Sequence, residues 1–269
     1  MKKRVYYIEK RCNLIGEKTV NEIKLTGMEG VNDYIEHVNT PWGRMFYDLL
    51  YHQLDVPYTS KLNILDFGSG LGISSNHYAK WHNVTAIEPN DDMINNRIKE
   101  NSYTQIHGGL DMLSTLDDDS YDMVLCHNVL EYIEDKETVI NELLRVLKPD
   151  GVVSLIKHNH AGKVFGYAVF SNEPDKALSA LNDKTTDKTN FIGKQYLYTN
   201  DDVAVWVDKN NCMIKDVFGL RTFFGLGQDN DIKYSDYWYH EMFELECAVA
   251  NTNEYKSVAY YNHIIIEKS

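Results

Sequence analysis

Long apolar stretches are missing from this 269-residue chain: no window approaches eighteen uninterrupted apolar residues, so a function built on membrane-spanning helices is excluded. The opening MKKRVYYIEKRCNLIGEK is too polar and charged after its first lysines for a secretory signal, and a cytoplasmic protein with no membrane partner is expected. Cysteine is sparse. The four, at 12, 126, 212 and 247, share no C-x-x-C spacing, which argues against both a disulfide framework and a zinc site. Positive charge is also in short supply, with 27 Lys and Arg against 40 Asp and Glu and a net charge of −13. Broad affinity for a polyanion is thereby disfavoured, because phosphate binding is driven by Lys and Arg. The exception is the arm over residues 1–24, where seven basic residues face three Glu, leaving +4 there and −17 elsewhere. Such an arm is either a solvated terminus or a contact for RNA. Internal repeats and low-complexity tracts are absent.

What is present is an alternation of short apolar runs with segments of helical spacing, the pattern of parallel strands joined by crossover helices. Strands are predicted at 63–67, 84–88, 105–107, 123–127 and 152–157. Between the fourth and fifth, Val139, Ile140, Leu143, Leu144 and Leu147 share one helical face, and Pro149 and Gly151 are expected to end that helix. Thr199 is placed to cap a helix over VAVWV. CMIKDVF reads as a sixth strand, residues 235–250 as a last helix and 259–267 as a final strand. One globular domain with an insertion results.

The first strand runs into D-F-G-S-G-L-G, with Asp66 ahead of Gly68, Ser69, Gly70 and Gly72, and Glu88 follows at the end of the second strand. Glycines after a first strand let a ligand approach the backbone, and an acid after the second strand can accept both hydroxyls of a ribose. A dinucleotide and S-adenosylmethionine both meet that description. The spacing separates them: the dinucleotide fingerprint is G-x-G-x-x-G, whereas these glycines stand at every second position behind an acid. Asp66 would repel a pyrophosphate but can accept from an ammonium group.

This loop, with Glu88, YDMVLCHNVLEYIED and LLRVLKPDGVVSLIKHN, resembles the motifs of class I S-adenosylmethionine-dependent methyltransferases. The resemblance implies a Rossmann-like α/β fold with a seven-stranded, mostly parallel sheet, an antiparallel final strand and an inserted cap region after the fifth strand. It implies a single domain over 1–269, made of an arm and covering helices (1–60), a cofactor-binding half (61–157), a cap (158–198) and the C-terminal part of the sheet (199–269). S-adenosyl-L-methionine is the implied cofactor and S-adenosyl-L-homocysteine its product. Where many members carry an acid after the third strand to meet the adenine, this chain has His107-Gly108-Gly109-Leu110-Asp111, so adenine would be met by the backbone of Leu110 or by Asp111. Arg44 is assigned by the same analogy to the methionine carboxylate, beside a Trp42, Phe46 and Tyr47 cluster read as core.

A closer likeness over about residues 40 to 266 is to the bacterial tRNA 5-carboxymethoxyuridine methyltransferases. Asn159 and Arg221 occupy matching places, while Lys157, His158 and Phe224 depart from them. A carboxylate is ionised at neutral pH and needs a cation rather than a base. Arg221 is therefore the candidate clamp, against a reading as an exposed strand-end arginine. His127, at the end of the fourth strand, is expected to line the cofactor or acceptor cleft, and Asn128 with it. His77, His82 and His240 read as structural. His158 and His160, two apart on an extended segment, would share a side, but no third ligand accompanies them and no metal is predicted. Five Lys and four acids over 163–195 mark the expected cap. The acceptor implied is a tRNA uridine carboxylate; a small acid or phenol, or a non-catalytic S-adenosylmethionine-binding subunit, are the alternatives.

Overall fold

Strand β1 (Asn63–Phe67) is buried from Ile64 onward, as befits a strand covered on both faces. In the computed structural model, which describes residues 29–182, 186–190 and 193–268, it is preceded by helices α1 (Glu29–Val38) and α2 (Pro41–Leu54). After it come α3 (Ile73–Ala79), β2 (Asn83–Glu88), α4 (Asp91–Asn95), β3 (Thr104–His107), α5 (Leu110–Leu113) and β4 (Tyr121–His127). Helix α6 (Lys136–Val146), β5 (Leu147–His158), α7 (His160–Phe165), α8 (Pro174–Asn182) and a small ladder of β6 (Thr186–Asn190) with β7 (Gly193–Gln195) follow. The chain closes with α9 (Asn200–Asp208), β8 (Cys212–Leu220), α10 (Asp236–Val249), α11 (Asn253–Lys256) and β9 (Tyr261–Lys268). The basic arm, Cys12 and the side chains of the cap residues Asp183, Lys184, Asp187, Lys188 and Lys194 lie outside the described residues.

Seven strands form one sheet in the order β3-β2-β1-β4-β5-β9-β8. Its first five strands pair in parallel, and β9 runs antiparallel to both β5 and β8. The expected mixed α/β sheet is present. Strand alternation sorts the side chains onto two cores: Val124, Cys126, Val153 and Leu155 meet α6 and α9 on one face. Met123, Leu125 and Ile156 meet α2 and α10 on the other. Among the described residues no helix is long and apolar enough to cross a membrane.

One boundary differs from expectation for a local reason. Helix α6 stops at Val146, so Leu147 heads β5 opposite Tyr121 instead of completing the helical face. Pro149 disfavours helical backbone at the residue before it, and the chain leaves the helix ahead of that restriction. Helix α3 begins at Ile73, after Gly72 turns left-handed at φ 67°.

At α9 the expected cap is a reciprocal box. The Asp202 amide donates to Thr199 Oγ1 at 3.1 Å while the Thr199 amide donates to the Asp202 carboxylate at 2.7 Å. Thr199→Ala is expected to lower the free energy of unfolding by about 1 kcal/mol and Thr199→Ser by only a few tenths, as measured by urea denaturation. Equal midpoints for Thr199→Ala and the parent would show the box to be energetically idle.

Candidate active site

The carboxyl edge of the sheet is shaped first by the glycine turn between β1 and α3. Gly68, Gly70 and Gly72 have φ values of 74°, 53° and 67°, in the left-handed region that side chains disfavour. They serve different ends. A Cβ on Gly68 would lie 2.3 Å from Val129, and one on Gly72 would lie 2.2 Å from the Tyr103 hydroxyl, whereas one on Gly70 would meet no atom within 4 Å. Gly68 and Gly72 thus close packing contacts; Gly70 faces open space.

Glu88 ties this turn to β2. Its Oε2 accepts from the Gly70 amide at 2.8 Å and its Oε1 from the Asn90 amide at 3.0 Å. Burial raises the Glu88 pKa, and those two amides act against the rise. Each carboxylate oxygen has two lone pairs, so one on each is left for a diol. Asp66 is buried at the base of the turn, accepting from Ser75 Oγ at 2.6 Å. Burial pushes its pKa up to about 6, and the nearby Glu88 adds to the rise while Ser75 opposes it. Ser69 Oγ and Asn128 Oδ1 are buried without hydrogen-bond partners among the described residues, and Asn128 also has a left-handed φ of 56°. Buried polar atoms of this kind cost free energy until a partner arrives.

Near the end of β3, Asp111 Oδ1 accepts from the Gly109 amide at 2.9 Å, and that bond lowers the Asp111 pKa. Arg44 is engaged with α10: it lies 3.7 Å from Asp48 and from Asp236, with its guanidinium 4.0 Å over the Tyr239 ring. A role for Arg44 at a methionine carboxylate would require it to leave these partners.

Beyond β4 the site changes character. His127 Nε2 is 2.8 Å from Ser154 Oγ, and burial drops its pKa to about 3. A neutral imidazole cannot serve as the cation that a carboxylate acceptor needs. His158 and His160 do not share an extended segment: His158 ends β5 with Nδ1 3.1 Å from Glu131, while His160 opens α7 with Nε2 2.8 Å from the Ala180 carbonyl. Among the described residues no group of three or more His, Cys, Asp or Glu is placed to hold a metal. Asn159 donates to the carbonyls of Ser257 and Ala259 at 2.9 Å, fixing the β5 end to the chain before β9.

Arg221 is not the exposed strand-end residue of the alternative reading. It is 5% exposed, left-handed at φ 61°, and its Nε has no hydrogen-bond partner among the described residues. Its guanidinium carbon lies 4.7, 5.2, 5.5 and 6.0 Å from the ring centroids of Trp42, Tyr260, Tyr261 and Phe224. The adjacent buried Glu246 directs its oxygens to the amides of Thr222, Phe223 and Phe224, each at 2.7 Å. Lys233, 1% exposed, holds its Nζ 3.6 Å from the centroid of the Trp42 ring and donates to the Gly227 carbonyl and Asn230 Oδ1. Burial, then Arg221, lowers its pKa to about 8. Trp42 therefore lines a cationic cage, while Phe46 and Tyr47 pack in the core as expected. Lys233 and Glu246 were not legible beforehand; Lys233 sits in the polar run QDNDIKYSD, which reads as a solvated loop.

The glycine edge fits S-adenosylmethionine: Gly70 leaves a cradle that a side chain would fill, Glu88 keeps lone pairs for the ribose, and Asp66 can take the ammonium group. When bound, the cofactor supplies a methyl group activated by a positive sulfur. Gly70→Val is expected to abolish S-adenosylmethionine binding in calorimetry while the circular dichroism spectrum stays that of a folded protein; retained binding would make the loop a mere turn. A second expectation concerns pH. Asp66 binds its proton up to about pH 6 in the free site, and an ammonium group requires the carboxylate. Affinity should therefore fall as pH drops through about 6, with proton release on binding, and Asp66→Asn should flatten the profile. The same raised pKa places the contribution of Asp66 to stability below the ordinary carboxylate range and removes it as pH rises through about 6.

Residues 65–155 match the model of a methyltransferase domain. The tRNA 5-carboxymethoxyuridine methyltransferase of Escherichia coli (strain K12) is 25% identical over 217 residues, covering 77% of this chain and 80% of that protein. The ubiquinone biosynthesis O-methyltransferase of Rickettsia akari is 28% identical over 189 residues, covering 64% and 74%. Among solved structures, magnesium protoporphyrin IX methyltransferase from Synechocystis PCC 6803 with bound SAH superposes with a TM-score of 0.54 at 16% identity, covering 98% of this chain and 99% of that one. An S-adenosylmethionine-dependent methyltransferase from Thermotoga maritima gives a TM-score of 0.59 at 14% identity, covering 89% and 96%. With the sheet order, the glycine turn and these likenesses together, the chain is an S-adenosylmethionine-dependent methyltransferase of the class I fold.

Proposed function

We propose that the enzyme methylates a carboxylate on a modified wobble uridine of tRNA, with Arg221 as the clamp for that carboxylate. The observation that carries the reading is the state of Arg221, a buried guanidinium ringed by aromatic side chains, with an Nε that has no partner among the described residues. Burying a cation is unfavourable unless an anion or hydrogen-bond acceptors meet it. Glu246 is committed to three backbone amides, which leaves room for a substrate anion. A guanidinium can grip a carboxylate through two parallel hydrogen bonds. Such an acceptor arrives ionised, so the chain has only to align it and exclude water. Trp42, Tyr260 and Tyr261 supply apolar walls for the latter, and their ring faces suit a stacked base. The partial likeness to a protein named for tRNA 5-carboxymethoxyuridine methylation supports the same acceptor.

A small acid or phenol is the competing acceptor, favoured by the net charge of −13 and by the likeness to ubiquinone biosynthesis O-methyltransferases. A phenol, unlike a carboxylate, must lose a proton, and it gives Arg221 no bidentate partner. Mass spectrometry of nucleosides from bulk tRNA of a deletion strain separates the two: the carboxymethoxy nucleoside should accumulate at the expense of its methyl ester, and an unchanged profile would remove the tRNA reading.

Arg221→Lys is expected to raise the KM for the tRNA acceptor while leaving S-adenosylmethionine affinity intact. Arg221→Ala should reduce kcat/KM by about 1.5–3 kcal/mol of transition-state stabilisation, the scale of a charge-assisted hydrogen bond. Loss of cofactor binding in Arg221→Ala, or an unchanged rate, would remove the clamp.

A further inference from the structure

A row of polar side chains crosses the α2 face of the sheet and reaches the end of β4. Gln53 Nε2 donates to the Gly219 carbonyl at 3.0 Å, and Gln53 Oε1 lies 2.8 Å from His263 Nδ1. His263 Nε2 is 2.8 Å from Ser154 Oγ, and that oxygen is 2.8 Å from His127 Nε2. Ser154 and His263 are fully buried, whereas His127 is half-buried. The row therefore runs from the interior to the edge where the reaction site lies.

Its direction follows from one fixed end. A backbone carbonyl only accepts, so the Gln53 amide must turn its NH2 toward Gly219 and its oxygen toward His263. His263 then carries its proton on Nδ1 and accepts at Nε2 from the Ser154 hydroxyl. Ser154, having given its one proton, can only accept from His127. The opposite direction would set Gln53 Oε1 against a bare His263 Nδ1, two acceptors at 2.8 Å. A doubly protonated His263 would permit it. Burial, followed by the charge of His127, holds His263 well below the ordinary imidazole range, and the partners found for its two ring nitrogens are an amide and a hydroxyl, neither of them a carboxylate.

We infer that Ser154, His263 and Gln53 are positioning residues that lock His127 in the tautomer protonated at Nε2, so that its Nδ1 lone pair is presented at the β4 edge as a hydrogen-bond acceptor. Nδ1 of His127 has no hydrogen-bond partner among the described residues. A lone pair at that place meets a hydroxyl, an N–H or a water beside the methyl acceptor and repels a carboxylate oxygen. His127 thus complements Arg221: the guanidinium takes the anion, and the imidazole takes a donor elsewhere on the same substrate. The inference rests on the reading of the β4 edge as the reaction site, but the tautomer itself can be measured without any acceptor.

The test is nitrogen-15 NMR of the histidine rings in the full chain. The parent should show His127 protonated at Nε2 and His263 at Nδ1. Ser154→Ala should release His127 into a mixture of tautomers and lower kcat on tRNA from a deletion strain at least about tenfold, with S-adenosylmethionine affinity unchanged. Ser154→Thr, which restores a hydroxyl, should recover both the single tautomer and the rate. A parent His127 protonated at Nδ1 would overturn the lock whether or not any variant folds. So would a Ser154→Ala protein with an unaltered tautomer, or one with mixed tautomers and full activity. Failure of the tRNA reading shows separately, as a parent enzyme with the expected tautomer and no turnover of tRNA.

Discussion

The carboxylate of Glu246 takes the amide hydrogens of three consecutive residues, 222 to 224, and the surroundings of Arg221 are arranged around that bond set. Three aligned amides require the chain to turn tightly as it leaves β8, and Arg221 enters that turn in a left-handed conformation. The same principle recurs around the sheet edge. Glu88 is held by two amides, Lys233 by a carbonyl and an asparagine oxygen, and Lys136 by the Ile133 carbonyl. Buried charges here are satisfied largely by backbone dipoles. A backbone partner is fixed by the fold, so the charge it satisfies stays put and does not draw a second mobile charge into the cleft.

The two halves of the site are built differently, and this explains what could be read in advance. Asp66, the glycines and Glu88 lie within 23 positions of one another, on two adjacent strands and one turn. Local spacing carries their geometry, so sequence alone pointed to the cradle. Around Arg221 the rings come from positions 42, 224, 260 and 261, on α2, the loop after β8, and the residue before β9 together with the first residue of that strand. No periodicity links those positions. Burial of Arg221 and Lys233 is a product of tertiary packing, and a polar loop sequence conceals it. The histidine row has the same origin, since its members at 53, 127, 154 and 263 meet only once the sheet is assembled. The misplaced end of α6 and the separation of His158 from His160 have a nearer cause, the restriction before Pro149 and the start of α7 at residue 160.

This division of labour also accounts for the pattern of likeness. The matched domain model spans residues 65–155, the stretch that holds Asp66, the glycine turn and Glu88. The relatives carry names with different acceptors at similar identities of 25% and 28%. A cofactor edge encoded in one contiguous stretch can stay constant while distant positions around it are exchanged to admit another acceptor.

The left-handed backbone at Arg221 sets stability against the chemistry proposed for that residue. An L-residue held there costs about 1–2 kcal/mol that glycine would avoid, and burying a guanidinium whose Nε has no partner among the described residues adds desolvation. An unbranched apolar side chain could touch the same rings without that second cost. Laboratory evolution that rewards heat resistance alone would thus be drawn away from arginine at this position and would yield sturdier proteins that lack the proposed clamp. A thermostabilising campaign on this enzyme needs an activity screen in every round, and position 221 is where its absence would first be felt.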